Sequence, residues 1–237
     1  MDNLNKTSNK TNKLSIKMPQ RKALAMIEYT SIAQGIIALD IITKTAEVDI
    51  LSARPICPGK YMILFCGDLA AVNASLEAAR QIQSKIDDFI LGRPHPSIFA
   101  ALNQQVKLQK NTALGLIETY SGAAAIKAAD TSAKTAYVNL AQIRIAEGMC
   151  GKSTVMLTGD IAAVAAALDA AKADANDANK ADITKPKVTT NNEPETKNEA
   201  EIKEATKKWQ PLNTALIPNP DEKMLAAINA SAQSLYH

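Results

Sequence analysis

The chain has 237 residues, of which 46% are hydrophobic and 4% aromatic, a size that suits one large domain or two small ones. The formal net charge of +3, from 27 basic and 24 acidic residues, provides no electrostatic footprint for nucleic acid. Residues 1–20 are polar, and no apolar run approaches the roughly 20 residues that a membrane helix needs. We therefore expect a cytosolic protein. Three cysteines without CxxC spacing indicate neither a disulfide scaffold nor a self-contained zinc site.

An internal duplication is the most informative feature of the sequence. Residues 23–28, ALAMIE, return as residues 113–118, ALGLIE, at an offset of 90. Further along, the Gly-Asp pair at residues 67–68 returns at residues 159–160, at an offset of 92. A register maintained over this length predicts two copies of one domain in tandem.

Each copy has the pattern of a β-α-β-β-α-β unit, which predicts an α/β protein of the α+β, ferredoxin-like kind. Thr30 or Ser31 is the expected N-cap of the first helix. In the first copy the strands are expected at residues 24–27, 49–53, 61–65 and 89–91, and the helices at residues 31–45, 69–85 and 96–102.

The repeat boundaries define the predicted domains. Residues 1–20 are expected to form a disordered tail, residues 21–106 the first domain and residues 110–237 the second. An insertion at about residues 173–208 is rich in Lys, Asp, Glu, Asn and Thr and has almost no bulky apolar residues. This composition is typical of a flexible loop. The alternative interpretation of the insertion is a docking segment for enclosed proteins.

The repeated segments resemble the tandem bacterial microcompartment domain family over about residues 23–228, outside the insertion. The resemblance rests on residues 27–35 (IEYTSIAQG), 57–60 (CPGK) and 67–68 (GD), with their partners in the second copy. It is closest to the trimeric shell proteins of propanediol-utilisation compartments. The resemblance implies a homotrimer that forms a flat pseudo-hexamer and tiles edge to edge with other shell hexamers around enclosed enzymes.

Two loops that precede a repeated strand, residues 55–60 and 146–152, are the candidate pore loops. Glycine allows the backbone to turn sharply and to approach a symmetry axis closely. A simple type II turn at residues 58–59 is the alternative account of the first loop and is compatible with a pore. The expected pore-lining residues are Ile56, Pro58, Gly59, Gly148, Met149 and Gly151.

Cys57, in the first of these loops, is the candidate metal ligand. A lone cysteine is ordinarily a small buried thiol. Around a threefold axis, however, three copies bring three thiolates together, and thiolates ligate iron–sulfur clusters. The resemblance implies a [4Fe–4S] cluster shared by three subunits. Cys150, in the second loop, either supplies a further ligand or fills space, and Cys66 is expected to be an inert core residue.

Lys44 and Lys134 each follow an aspartate by four residues, so an i,i+4 ion pair on a helix is the simplest interpretation. The resemblance instead places these lysines at the tile edge, with Arg93 beside such a lysine. The second copy has Asn219 where the first has Arg93. We therefore expect the edge contacts around the disc to alternate in strength.

These features favour a structural shell tile whose pore holds a [4Fe–4S] cluster for electron or cluster transfer across the shell. A shell tile with a metal-free metabolite pore is the alternative. We do not expect an enzyme, because His95 and His237 are the only histidines and the chain has neither a Walker loop nor a GxGxxG motif. A trimeric signalling protein of the PII type shares the topology but not the tandem fusion.

Overall fold

The computed structural model describes residues 23–103, 108, 112–146, 148–183, 187–188, 194–195 and 211–233. The predicted N-terminal tail lies outside these ranges, as does most of the predicted insertion beyond residue 183. The first domain consists of β1 (Ala23–Tyr29), α1 (Ile32–Thr45), β2 (Asp49–Ile56), β3 (Lys60–Gly67), α2 (Leu69–Arg80), β4 (Lys85–Leu91) and α3 (Ser97–Asn103).

The second domain repeats this order of elements, which confirms the predicted fold class. Two strands of two residues each, Lys187–Val188 and Pro194–Glu195, are additional to this order and pair with each other. The second domain consists of β5 (Ala113–Thr119), α4 (Gly122–Thr135), β6 (Asn139–Ile145), β7 (Ser153–Gly159), α5 (Ile161–Ile183), β8 (Lys187–Val188), β9 (Pro194–Glu195), β10 (Pro211–Ile217) and α6 (Glu222–Gln233).

Helix α5 continues to Ile183, inside the range predicted as a flexible insertion. Residues 173–183 of that range are therefore helical, where the sequence analysis predicted a loop. Alanine recurs there at positions 173, 175, 178 and 181, and alanine has the highest intrinsic helix propensity, so the helix continues without bulky apolar residues. Although α5 has 23 residues, neither it nor another helix of the described ranges is long and apolar enough to cross a membrane.

The two sheets have equivalent strand orders, β2-β3-β1-β4 and β6-β7-β5-β10, and all their strand pairs are antiparallel. Ala23 pairs with Gly67 in the first sheet, and Ala113 pairs with Gly159 in the second. The duplication seen in the sequence therefore extends to the register of the central strands.

Serine side chains begin the first helix of each domain. The Ser31 hydroxyl accepts a hydrogen bond from the Gln34 N–H at 3.3 Å, and the Ser121 hydroxyl accepts one from the Ala124 N–H at 3.2 Å. Each satisfies an N–H that the helix leaves without an internal partner. The prediction that Thr30 or Ser31 caps the first helix is thus confirmed for Ser31.

Helix α2 ends at Arg80, earlier than predicted, and β4 begins at Lys85. Ser84, between them, has a φ of 69°, a left-handed conformation that ends regular structure. Arg80 Nε and Lys85 Nζ each donate to the Asp88 carboxylate at 2.8 Å. Burial opposes the ionisation of Asp88, but these two cations outweigh burial and hold the pKa of Asp88 below its ordinary value of 3.8.

One hydrophobic core extends across both domains. Met26 and Phe99 of the first domain belong to the same buried cluster as Ile126 and Ile145 of the second. A Cβ at Gly122, the first residue of α4, would lie 2.5 Å from Ile145 Cγ2 and 3.3 Å from Met26 Sδ. Helix α3 packs on β6 and α4. The first domain therefore covers one face of the second.

Asp88→Asn should lower the free energy of unfolding by about 1–3 kcal/mol at pH 7, because it removes charge-assisted hydrogen bonds from Arg80 and Lys85. Since the pKa of Asp88 is lower in the folded state, its contribution is present above the unfolded-state pKa of about 4 and is lost as the pH falls through the folded-state pKa. Denaturant unfolding should therefore show the variant and the wild type converging between pH 7 and pH 2. A difference that does not change with pH would contradict this account.

Candidate functional site

The first candidate pore loop connects β2 to β3 and carries Cys57, which is half-buried and precedes a cis peptide bond to Pro58. Gly59 has a φ of +71°, a conformation that glycine adopts without strain and that a type II turn requires at its third position. The neighbouring Lys60 forms an ion pair at 3.2 Å with Glu28, which is buried. This ion pair holds the base of the loop against the central strand β1.

The second candidate pore loop connects β6 to β7 and carries Cys150. Ala146, Gly148, Cys150 and Gly151 all have positive φ, between 50° and 91°. This conformation is uncommon for residues other than glycine. The loop closes where the Ala146 N–H donates to the Lys152 carbonyl at 3.1 Å. The tight loop leaves Cys150 exposed.

The two loops lie against each other across the domain boundary. The Cys57 N–H donates to the Ala146 carbonyl at 3.2 Å. Arg54 Nη2 donates to the Ile145 carbonyl at 3.3 Å. A Cβ at Gly151 would lie 3.6 Å from the Cys57 carbonyl oxygen. Domain docking thus brings together the loops that carry Cys57 and Cys150.

The predicted pore-lining residues differ in exposure. Ile56 is 5% exposed and belongs to the core cluster that the two domains share. Its side chain packs inside the chain instead of lining a pore, because the second domain covers the end of β2. A pore-lining role for the others stays a prediction: Pro58, Gly59 and Gly148 are exposed, and Met149 and Gly151 are half-buried.

The cysteines of one chain could supply only part of the ligand set of an iron–sulfur cluster. Cys57 is half-buried, Cys150 is exposed, Cys66 is buried in the core, and all three are free thiols. Within the described ranges, no group of three or more His, Cys, Asp or Glu side chains could hold a metal ion. Iron–sulfur clusters use cysteine thiolates as ligands, so the donor type fits, but several chains must contribute.

A hydrogen-bonded network joins the domains where the tile edge is predicted. Asp130 on α4 accepts hydrogen bonds from the His95 N–H and from Lys134 Nζ, both at 2.6 Å. Lys134 Nζ also donates to the Arg93 carbonyl at 2.7 Å. The structure therefore places Arg93 beside Lys134, through the Arg93 backbone.

The duplicate of this pair in the first domain is an exposed ion pair. Lys44 Nζ lies 2.7 Å from Asp40 Oδ2, and the Asp40 side chain is 59% exposed, whereas that of Asp130 is 8% exposed. This is the simple i,i+4 pair that the sequence also allowed. The tile-edge role of Lys44, Lys134 and Arg93 stays a prediction.

Two contacts of this region are absent from the expectations drawn from the sequence, namely Arg54 to Ile145 and Lys60 to Glu28. The sequence offered one signal for the Arg54 contact, namely that Arg54 recurs as Arg144 at the offset of 90. The partners themselves could not be predicted, because the packing of distant segments decides them.

A cavity of about 300 Å³ lies between the domains beside the Arg54 contact. Its lining combines apolar side chains of both domains with Ser52, Arg54, Asn103 and Arg144. Because both domains contribute to its walls, the cavity exists only in the docked arrangement.

Asp130→Ala should destabilise the chain by about 2–4 kcal/mol, because it removes a buried carboxylate and leaves the half-buried His95 N–H and the Lys134 ammonium without it as an acceptor. The matched control is Asp40→Ala, which removes the duplicated but exposed carboxylate and should change stability by less than about 1 kcal/mol. Thermal and denaturant unfolding of the two variants provide the comparison. Equal losses of stability would show that the junction network is unimportant.

The chain matches the BMC domain family twice, at residues 23–94 and 113–189. It is 34% identical over 145 residues to the bacterial microcompartment shell protein PduT of Citrobacter freundii, a match that covers 60% of this chain and 79% of that relative. It is also 32% identical over 90 residues to the carboxysome shell protein CsoS1A of Hydrogenovibrio crunogenus, covering 36% of this chain and 94% of that protein.

A solved structure shows the same similarity. The crystal structure of a microcompartment protein from Desulfitobacterium hafniense DCB superposes with a TM-score of 0.66 at 37% sequence identity, covering 86% of this chain and 97% of that chain. The two family matches coincide with the two copies of the duplicated unit. The chain therefore belongs to the family of bacterial microcompartment shell proteins and carries two BMC domains in tandem.

Proposed function

We propose that three copies of this chain form a flat pseudo-hexameric disc, a structural tile in the shell of a microcompartment in the bacterial cytoplasm. In this proposal the paired loops surround a central pore and hold a [4Fe–4S] cluster. The role of the chain is structural, and no enzymatic activity is assigned to it. The main support for this assembly is the unequal burial of helices α1 and α4.

Duplicated positions on α1 and α4 have opposite environments. Ile126 on α4 is fully buried, whereas its duplicate on α1, Ile36, is 53% exposed. Gly122 is also buried, whereas its duplicate, Ile32, is 42% exposed. The first domain of the same chain covers α4. Helix α1 therefore presents apolar side chains at the positions where its duplicate has a partner.

The second domain of another copy provides the matching cover. The first-domain surface that packs on α4 has a duplicate in the second domain, because both domains share one fold and one register. The contact between domains within the chain can thus repeat between chains, head to tail. Heterologous contacts of this kind close into rings when their rotation permits. A ring of three chains gives the disc that the family resemblance implies.

The paired loops support the placement of the cluster. In a ring of three, each copy supplies Cys57 from a loop that is hydrogen-bonded to the loop of Cys150. Three Cys57 thiolates leave one iron of a cubane without a protein sulfur, and the adjoining Cys150 is the nearest candidate for that ligand. When bound, the cluster would supply one-electron transfer across the shell.

The remaining partners follow from the tile role. We assign the predicted edge residues Lys44, Lys134 and Arg93 to contacts with other shell hexamers. The Lys134 site, whose partner Asp130 is buried, and the exposed Lys44 site differ in their bonding. Enclosed enzymes are the expected partners on the inner face of the shell.

Ile36→Glu should prevent trimer formation, because it places a charge where the neighbouring copy packs. The matched control is Leu69→Glu. Leu69 and its duplicate Ile161 are 50% and 52% exposed, so the contact between domains covers neither of them. Light scattering after gel filtration should give a monomer for Ile36→Glu and a trimer for Leu69→Glu and the wild type. A wild-type monomer, or a trimer that survives Ile36→Glu, would overturn the proposed assembly.

Cys57→Ser should abolish the visible absorbance of protein purified without oxygen while leaving the trimer intact, because serine oxygen is a poor ligand for the cluster. Iron and sulfide analysis of the wild type should give one [4Fe–4S] cluster per three chains. Cys150→Ser in parallel reports whether the second loop also contributes a ligand. If the wild-type trimer remains colourless after reconstitution with iron and sulfide, the metal-free pore replaces the cluster.

A further inference from the structure

The contact of Arg54 is one half of a pair of hydrogen bonds that reach across the domain boundary. Arg54 Nη2 donates to the Ile145 carbonyl at 3.3 Å, and the Cys57 N–H donates to the next carbonyl, that of Ala146, at 3.2 Å. The end of β2 thus binds two consecutive carbonyl groups where β6 leads into the second loop. Arg54 and Cys57 together fix the position of that loop against the first domain.

Arg144 is the structural duplicate of Arg54. In the first sheet Arg54 is paired with Met62, and in the second sheet Arg144 is paired with Thr154, at the equivalent place near the end of an edge strand. Both residues contribute to the lining of the cavity between the domains. The two arginines therefore occupy the same position in two copies of one sheet.

Their bonding differs, however. Arg54 reaches the second domain of its own chain, whereas Arg144 has no hydrogen bond or ion pair within the described part of the chain, although it is half-buried. A guanidinium carries five donors and stays charged, so leaving it partly buried without an acceptor is unfavourable. Its acceptor is thus expected outside the described part of the chain.

The repeat identifies that acceptor. At the offset of 90, Ile145, whose carbonyl accepts from Arg54, corresponds to Pro55. The two lie at equivalent register positions, since Ile145 is paired with Ser153 and Pro55 with Tyr61. Pro55 lies on the edge strand β2 and is exposed. Its carbonyl group is therefore expected to face an adjoining copy in the way that the carbonyl group of Ile145 faces Arg54. Pro55 also precedes Cys57 by two residues.

We infer that Arg144 is an intersubunit positioning residue whose guanidinium donates a hydrogen bond to the Pro55 carbonyl of the adjoining copy. This inference rests on the proposed trimer and goes beyond it by naming the residue that holds each Cys57 loop from outside its own chain. Arg54 then positions the second loop within a chain, and Arg144 positions the first loop between chains. Both loops are held by the same contact repeated around the ring.

Arg144→Ala should raise the protein concentration at which half of the trimer dissociates by about tenfold or more, the effect expected for loss of a charge-assisted hydrogen bond. Arg54→Ala is the matched control, because its contact lies within one chain, and it should shift that concentration by less than about threefold. Arg144→Lys retains one donor and should fall between wild type and Arg144→Ala. The measurement is light scattering over a dilution series.

A cross-linking experiment tests the proximity directly. Two chains that both carry Cys57→Ser and Cys150→Ser, one with Pro55→Cys and the other with Arg144→Cys, are co-assembled so that a cross-link between these positions can form only between chains. Treatment with a short bismaleimide should then give dimers on a denaturing gel. Trimers of either chain alone are the control and should stay at monomer mass.

The outcomes separate this inference from the proposed assembly. A wild-type monomer would defeat the trimer and the inference together. A wild-type trimer in which Arg144→Ala dissociates no more readily than Arg54→Ala, or in which the co-assembled Pro55→Cys and Arg144→Cys chains do not cross-link, would overturn the role of Arg144 and leave the tile standing.

Discussion

The docking of the first domain onto helix α4 of the second is the contact on which the rest of the structure depends. It places Met26 of the first domain against Gly122 of the second in a core that the two domains share, and it aligns the Cys57 N–H with the Ala146 carbonyl. Apolar burial supplies most of the driving force. The hydrogen bonds at the boundary fix the relative position of the domains, because a shifted donor or acceptor would be buried without a partner. Two copies of one unit thus form an asymmetric junction, in which the first domain covers α4 of the second domain while α1 of the first domain stays uncovered.

The asymmetry of the junction explains why duplicated residues contribute unequally to stability. At position 122 a Cβ would lie 3.3 Å from Met26 Sδ across the junction, whereas the duplicated position holds the partly exposed Ile32. Asp130 is enclosed by the junction, but Asp40 lies in solvent with its lysine. An exposed ion pair contributes little because water screens it, while a buried and fully bonded carboxylate is costly to remove. The environment of a repeated residue, and not its identity, sets its energetic role.

The same junction organises the paired loops. Ala146 and Cys150 have positive φ although neither is glycine, a conformation that persists only where the surrounding structure holds it in place. Here the hydrogen bonds from Cys57 and Arg54 to the residues at the start of the second loop provide that support. The proposed ring extends this logic from one chain to three, so that each pore loop is supported by a neighbouring domain. A shell tile needs such support, because loops at a central axis have no core of their own.

The sequence by itself determined the tandem repeat, the order of the elements, the cap at Ser31 and the two glycine-containing loops, because periodicity, capping and turn conformation are local properties. Only the tertiary structure decided that Ile56 is buried, that Asp130 bonds across the junction and that Arg54 binds the Ile145 carbonyl. Because the two copies have the same local sequence pattern, that pattern does not indicate which copy's first helix the other domain will cover. That difference arises when distant surfaces dock, and it is the difference from which the assembly is inferred.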